Sequence, residues 1–98
     1  IGYSPDGRLL VALSGEPWCQ LIDGETGQSL GRLEGHAGRV IDAVFSRDGA
    51  VLYTVGADSE WIAWDVTKRR VIFRSGPCGV LMRAVAISPD GGTIATGS

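Results

Sequence analysis

Apolar residues along the chain gather in short runs, each broken off by a cluster of Gly, Asp, Ser, Thr or charged residues. Residues 40–45, 51–55, 61–66 and 71–73 are rich in Val, Ile, Phe, Tyr and Trp, side chains that suit a pleated, half-buried surface. Turn clusters Gly56-Ala57-Asp58-Ser59 and Thr67-Lys68-Arg69 separate them. Further strands are expected at 9–13, 18–22, 29–33, 82–87 and 93–96. No stretch is long and periodic enough for a helix. The pattern predicts an all-β chain.

One turn sequence recurs. Ser4-Pro5-Asp6-Gly7, Ser46-Arg47-Asp48-Gly49 and Ser88-Pro89-Asp90-Gly91 are spaced by 42 residues. Leu10, Leu52 and Ile94 keep the same phase, as do Asp23 and Asp65. Ser suits the first position of a type I turn, Pro presets φ at the second, and Gly suits the fourth. Arg47 shows that the proline helps without being required. Four short strands per 42 residues describe an antiparallel four-stranded unit that repeats, the signature of a propeller blade.

The middle copy is more specific still. Gly35-His36, Val40-x-x-x-Val44-Phe45-Ser46-x-Asp48-Gly49, Thr54, Asp58 and the closing Trp64-Asp65 resemble the WD-repeat β-propeller family. That resemblance implies a tetrad of His36, Thr54, Asp58 and Trp64 that ties the blade together by hydrogen bonds. The chemistry is coherent, because an indole N–H only donates, a hydroxyl does both, and a carboxylate accepts from an imidazole. The other copies depart from the pattern. The first has Ala12, Glu16 and Ile22 at the equivalent positions; the third has Cys78 where His36 stands, and keeps the hydroxyl as Thr96. The resemblance also places partner contacts on the rim, at Arg39, Ile41 and Ala57 of the middle copy, Leu81 and Arg83 of the third, and Gly15 of the first. Arg39 and Arg83 are the candidates with hot-spot chemistry, against the plainer reading of two solvated loop arginines.

Composition narrows the chemistry. The chain has 98 residues, 9 basic against 11 acidic, and 15 glycines. This balance leaves no electrostatic footprint for nucleic acid or an anionic membrane. No apolar run reaches the roughly 18–20 residues of a spanning helix. Lys68-Arg69-Arg70 is the one basic cluster, placed in a hairpin turn where charged tips are normal. Cys19 and Cys78 are expected to be reduced thiols in a cytoplasmic protein, and with one histidine no zinc site of ordinary spacing can be written. No cofactor is expected. His36, Thr54 and Asp58 have the look of a hydroxyl–imidazole–carboxylate catalytic set, but the resemblance gives them a structural role and the chain is expected not to be an enzyme.

The expected architecture is a single segment, residues 1–98, holding two blades plus part of a third in an incomplete ring. In the repeat phase it divides into 1–35 (partial), 36–77 (complete) and 78–98 (partial). The expected function is a non-catalytic protein–protein interaction scaffold, binding a protein partner or another domain of its own chain. One alternative is a regulatory propeller region of a larger bacterial enzyme or signalling protein. Another is a fragment that completes its ring as a homo-oligomer.

Overall fold

The two Ser-x-Asp-Gly turns are built from identical hydrogen bonds in the computed structural model, which describes residues 2–76, 84–88 and 94–97. In the first, Ser4 Oγ donates to Asp6 Oδ1 at 2.6 Å and accepts the Leu9 N–H at 3.0 Å. Asp6 Oδ1 also accepts the Arg8 N–H at 3.0 Å. Ser46, Asp48, Ala50 and Val51 repeat the arrangement at 2.5, 3.0 and 3.1 Å. Gly7 and Gly49 take φ of 74° and 75°, left-handed backbone that a side chain would strain. Pro5 and Arg47 therefore stand at equivalent places in one turn, and the third copy at 89–91 lies outside the described residues.

These turns also carry an acid sensitivity. The serine hydroxyl, and then the backbone N–H, hold the Asp6 and Asp48 carboxyls below the ordinary carboxylate value of 3.8. A carboxyl whose folded pKa is depressed adds stability above its unfolded pKa and loses it as pH falls through the folded one. The melting midpoint is expected to drop as pH is taken below about 4, and to drop less in the Asp6→Asn/Asp48→Asn double variant. Parallel acid limbs for the two proteins would contradict this.

The turns join strands into two four-stranded antiparallel sheets and a hairpin. The first sheet runs β1 (Gly2–Tyr3), β2 (Leu9–Leu13), β3 (Trp18–Asp23), β4 (Ser29–Glu34) in sequence order. The second runs β5 (Val40–Phe45), β6 (Val51–Gly56), β7 (Trp61–Asp65), β8 (Arg70–Arg74). β9 (Ala84–Ile87) pairs with β10 (Ile94–Gly97). Strand order equal to chain order is what hairpin-length loops dictate. The repeat extends to its irregularities. The β3–β4 register shifts between Leu21 and Ile22, leaving Leu30 without an opposite number, and the β7–β8 register shifts between Ala63 and Trp64, leaving Ile72 so.

Alternation places one face of each sheet against its neighbour. Val11, Cys19, Leu21 and Leu33 of the first sheet meet Leu52, Ile62 and Trp64 of the second, with Phe45 and Val66, in one buried cluster. A second, smaller cluster joins Val55 to Val85 of β9, with Ile41, Val44, Tyr53 and Trp61 packed on it. Val85 N–H also donates to Asp42 Oδ2 at 3.0 Å, a side-chain link between the second sheet and the β9–β10 hairpin.

The architecture is all-β, as the pattern predicts, with differences at the edges. β1 is an additional two-residue strand that completes the first sheet. β8 takes in Arg70 and Arg74, because a ladder needs only backbone groups and the β7 partners extend that far. β7 ends at Asp65, where Val66 turns its N–H to Ala50 O at 3.1 Å. Residues 82–83 and 93, expected in strands, lie outside the described residues.

Candidate functional site

His36 enters the second sheet from the turn that follows β4 and reaches three elements. Its Nε2 lies 2.7 Å from Thr54 Oγ1 on β6. Its Nδ1 lies 3.2 Å from each oxygen of Asp58 in the β6–β7 turn. Trp64 on β7 donates its indole N–H to Thr54 Oγ1 at 2.9 Å. The indole can only give to the hydroxyl and the carboxylate can only accept, so an imidazole carrying its proton on Nδ1 completes a chain from Trp64 through Thr54 and His36 to Asp58. Thr54 is 0% and Trp64 2% exposed, so these bonds replace solvent completely. Among the described residues no buried side-chain nitrogen or oxygen lacks a partner. The structure thus brings His36, Thr54, Asp58 and Trp64 into one connected set.

Two glycines and an ion pair close around it. A Cβ on Gly56 would sit 2.5 Å from His36 Nδ1 and 2.6 Å from Asp58 Oδ1. A Cβ on Gly35 would sit 2.9 Å from the Trp64 ring and 2.9 Å from Arg74 Nη2. Arg74 Nη1 donates to Gly35 O at 2.8 Å and to the buried Glu60 at 3.2 Å, so β8 is tied to the segment that delivers the histidine. Sequence reasoning missed Glu60 and Arg74, and named Gly35 and Gly56 only as parts of a motif and a turn. The opposite charges of Glu60 and Arg74 were visible, but nothing local said that they meet. In the first sheet Ala12 is half-buried opposite Gln20, Glu16 is exposed, and Ile22 is half-buried. Leu21, beside Ile22, is buried on the opposite face from it, and Thr96 on β10 is exposed.

The rim candidates divide. Arg39 and Ala57 are exposed and adjacent, with Ala57 N–H donating to Arg39 O at 2.9 Å. Val40 N–H donates to Glu16 O at 2.9 Å, which brings the exposed Gly15–Glu16 turn of the first sheet beside them. Ile41 is half-buried against Val55 and Val85. Leu81, Arg83 and Cys78 lie outside the described residues. Trp18 is half-buried beneath the Arg32 guanidinium, 4.3 Å from the ring centre, and Trp61 meets Phe73 in a tilted pair with centroids 5.1 Å apart. Arg69 of the basic cluster is exposed, and its Cδ lies 3.6 Å from where a Cβ on Gly31 of the first sheet would sit.

Cys19 is buried, and burial pushes its thiol up to about 12. Thiolate is the reactive form. In a Cys78→Ser variant the remaining thiol is expected to resist Ellman's reagent in mildly alkaline buffer and to react in full once guanidinium unfolds the chain. Ready reaction in the folded state would overturn the assignment.

With this geometry in hand, comparison with known proteins gives two results. The family described as Cytochrome D1 heme domain matches residues 6–98. The chain belongs to the cytochrome D1 heme domain family. It is also similar to proteins named for WD repeats and nuclear functions. WD repeat-containing protein 91 of Xenopus tropicalis is 30% identical over 66 residues, 67% of this chain and 9% of that protein. U3 small nucleolar RNA-associated protein 18 homolog of Mus musculus is 29% identical over 99 aligned positions, 97% of this chain and 17% of that protein. Nuclear distribution protein PAC1 of Arthroderma benhamiae is 35% identical over 66 residues, 67% and 14% respectively. The chain therefore spans less than a fifth of the length of these curated relatives. Their names and the four-stranded sheets are compatible with a WD-like propeller, while the cytochrome D1 heme domain family is a different propeller family. The resemblance read from Gly35-His36 and Trp64-Asp65 holds at that coarser level.

The family's description implies a haem, and neither His36 nor Cys19 fits one as an iron ligand. Haem iron takes His, Cys thiolate, Met or Tyr ligands. Both nitrogens of His36 are engaged, and the Cys19 thiol is buried and protonated. A groove of about 520 Å³ between the two Asp-Gly turns is lined by Asp6, Asp23, Glu25 and Asp48 against the single cation Arg8, which repels a porphyrin's carboxylates. Among the described residues no helix is long and apolar enough to cross a membrane, and no group of three or more His, Cys, Asp or Glu could hold a metal ion.

Proposed function

We propose that the chain is a non-catalytic protein-interaction scaffold whose contact surface centres on Gly15, Arg39 and Ala57. The observation that carries this reading is the pair of main-chain bonds, Val40 to Glu16 and Ala57 to Arg39, that hold three loops of two sheets in fixed relation. Rigid sheets presenting exposed loop residues are suited to recognition, and Arg39 offers a guanidinium that can grip a carboxylate bidentately. The partner is a protein, or another domain of the same polypeptide, met in the cytoplasm. The tetrad keeps its hydroxyl hydrogen-bonded inside the blade, so its role is to tie strands and not to attack a substrate.

The test compares wild type with Arg39→Glu/Ala57→Asp in quantitative affinity capture from cells, with melting curves run alongside. Proteins retained by wild type and depleted about tenfold by the variant, at unchanged midpoint, support the reading; identical capture profiles sink it. A second reading, a regulatory propeller region of a larger bacterial enzyme or signalling protein, is favoured by the family match, which comes from an enzyme propeller family. A catalytic motif beside the repeats in the parent polypeptide would support it.

A further inference from the structure

We infer that His36 is closed to haem iron in this chain, although its family is described by a haem. The argument begins with the two ring nitrogens, the atoms an iron would need. Nε2 faces Thr54 Oγ1 at 2.7 Å, and that oxygen also receives the Trp64 indole N–H. Withdrawing Nε2 strips a buried hydroxyl of its imidazole partner. Nδ1 faces both oxygens of Asp58, a carboxylate that further accepts the Ala37 N–H at 2.9 Å and the Glu60 N–H at 3.3 Å. Withdrawing Nδ1 leaves that carboxylate without its imidazole partner. A buried polar group stripped of its partner is costly, and a charged one more so.

Space gives the same answer independently. The His36 side chain is 0% exposed. On its Nδ1 side even a methyl group at Gly56 would come to 2.5 Å, and on the Trp64 side of the cluster a methyl group at Gly35 would come to 2.9 Å. A site that excludes one carbon atom excludes an iron with a macrocycle around it. Arg74, bonded to Gly35 O and Glu60, clamps the entry from β8. The imidazole can meet iron only by parting from Thr54 on β6 or from Asp58 in the β6–β7 turn.

The chain contains one histidine, so histidine labelled with nitrogen-15 yields a single imidazole to watch. The full chain is mixed with an equimolar amount of ferric haemin at neutral pH, and the imidazole nitrogen signals, the Soret band and the melting midpoint are followed. The expected result is imidazole signals unmoved within their linewidth and a midpoint unchanged, since a ligand bound to the folded state would raise it. A Soret change with those signals in place means haemin resting elsewhere and supports the inference. Hyperfine-shifted imidazole signals, with a displaced Soret band, overturn it. A folded His36→Gln variant gives a second reading: uptake equal to wild type supports the inference, and uptake about tenfold weaker overturns it. If that variant does not fold, the labelled wild type still decides.

Discussion

Replacing Trp64 with alanine is expected to lower stability by about 3–5 kcal/mol, and the melting midpoint by more than about 10 °C for a chain of this size. The side chain is 2% exposed and sits at the meeting of the two sheets, among Leu21, Leu33, Leu52 and Ile62. Alanine removes that packing, leaves a cavity, and takes a donor from Thr54. Trp64→Phe separates the two contributions. It keeps most of the apolar bulk and loses the N–H, so its cost is expected nearer 1 kcal/mol. Chemical denaturation of the three proteins gives the comparison. A Trp64→Ala chain within about 1 kcal/mol of wild type would show that the sheets do not depend on this contact.

Gly56→Ala is the second large effect, about 2–4 kcal/mol. Intrinsic preference argues the opposite sign, because alanine in a strand interior is favoured over glycine by roughly 0.5–1 kcal/mol. Sterics decide here. The new methyl group would land between His36 Nδ1 and Asp58 Oδ1 and push the pair apart. Gly2→Ala is the matched control: its Cβ would meet Val11 Cγ1 at 3.5 Å, an ordinary contact, and is expected to be nearly neutral. Denaturation midpoints for both variants check the contrast. A Gly56→Ala chain as stable as wild type would mean the imidazole and carboxylate are free to give way.

The repeat was legible because its turn chemistry is local. Ser4 and Asp6, or Ser46 and Asp48, act within five residues of each other, so the spacing of 42 and the hairpin at each copy could be read directly. The His36, Thr54, Asp58 and Trp64 set was legible because the resemblance to the WD-repeat family implies it; the geometry then showed which nitrogen meets which oxygen. What could not be read depends on distant parts of the chain. Glu60 and Arg74 meet only through the β7–β8 pairing, and Gly35 and Gly56 matter only because of what packs over them. Ile41 looked like a rim residue by position, yet β9 lies close enough to half-bury it. β1 escaped notice because two residues carry no periodicity.

The bond from Val85 N–H to Asp42 Oδ2 has a consequence for following motion. An amide in a ladder ordinarily reports the opening of its own sheet. This one is capped by a carboxylate from the neighbouring sheet, so its exchange with deuterium times the parting of two sheets, whether or not either melts. The chain thereby contains a clock for seam opening at a single peptide group, one that runs faster in Asp42→Ala while the amides inside β6 and β7 keep their pace.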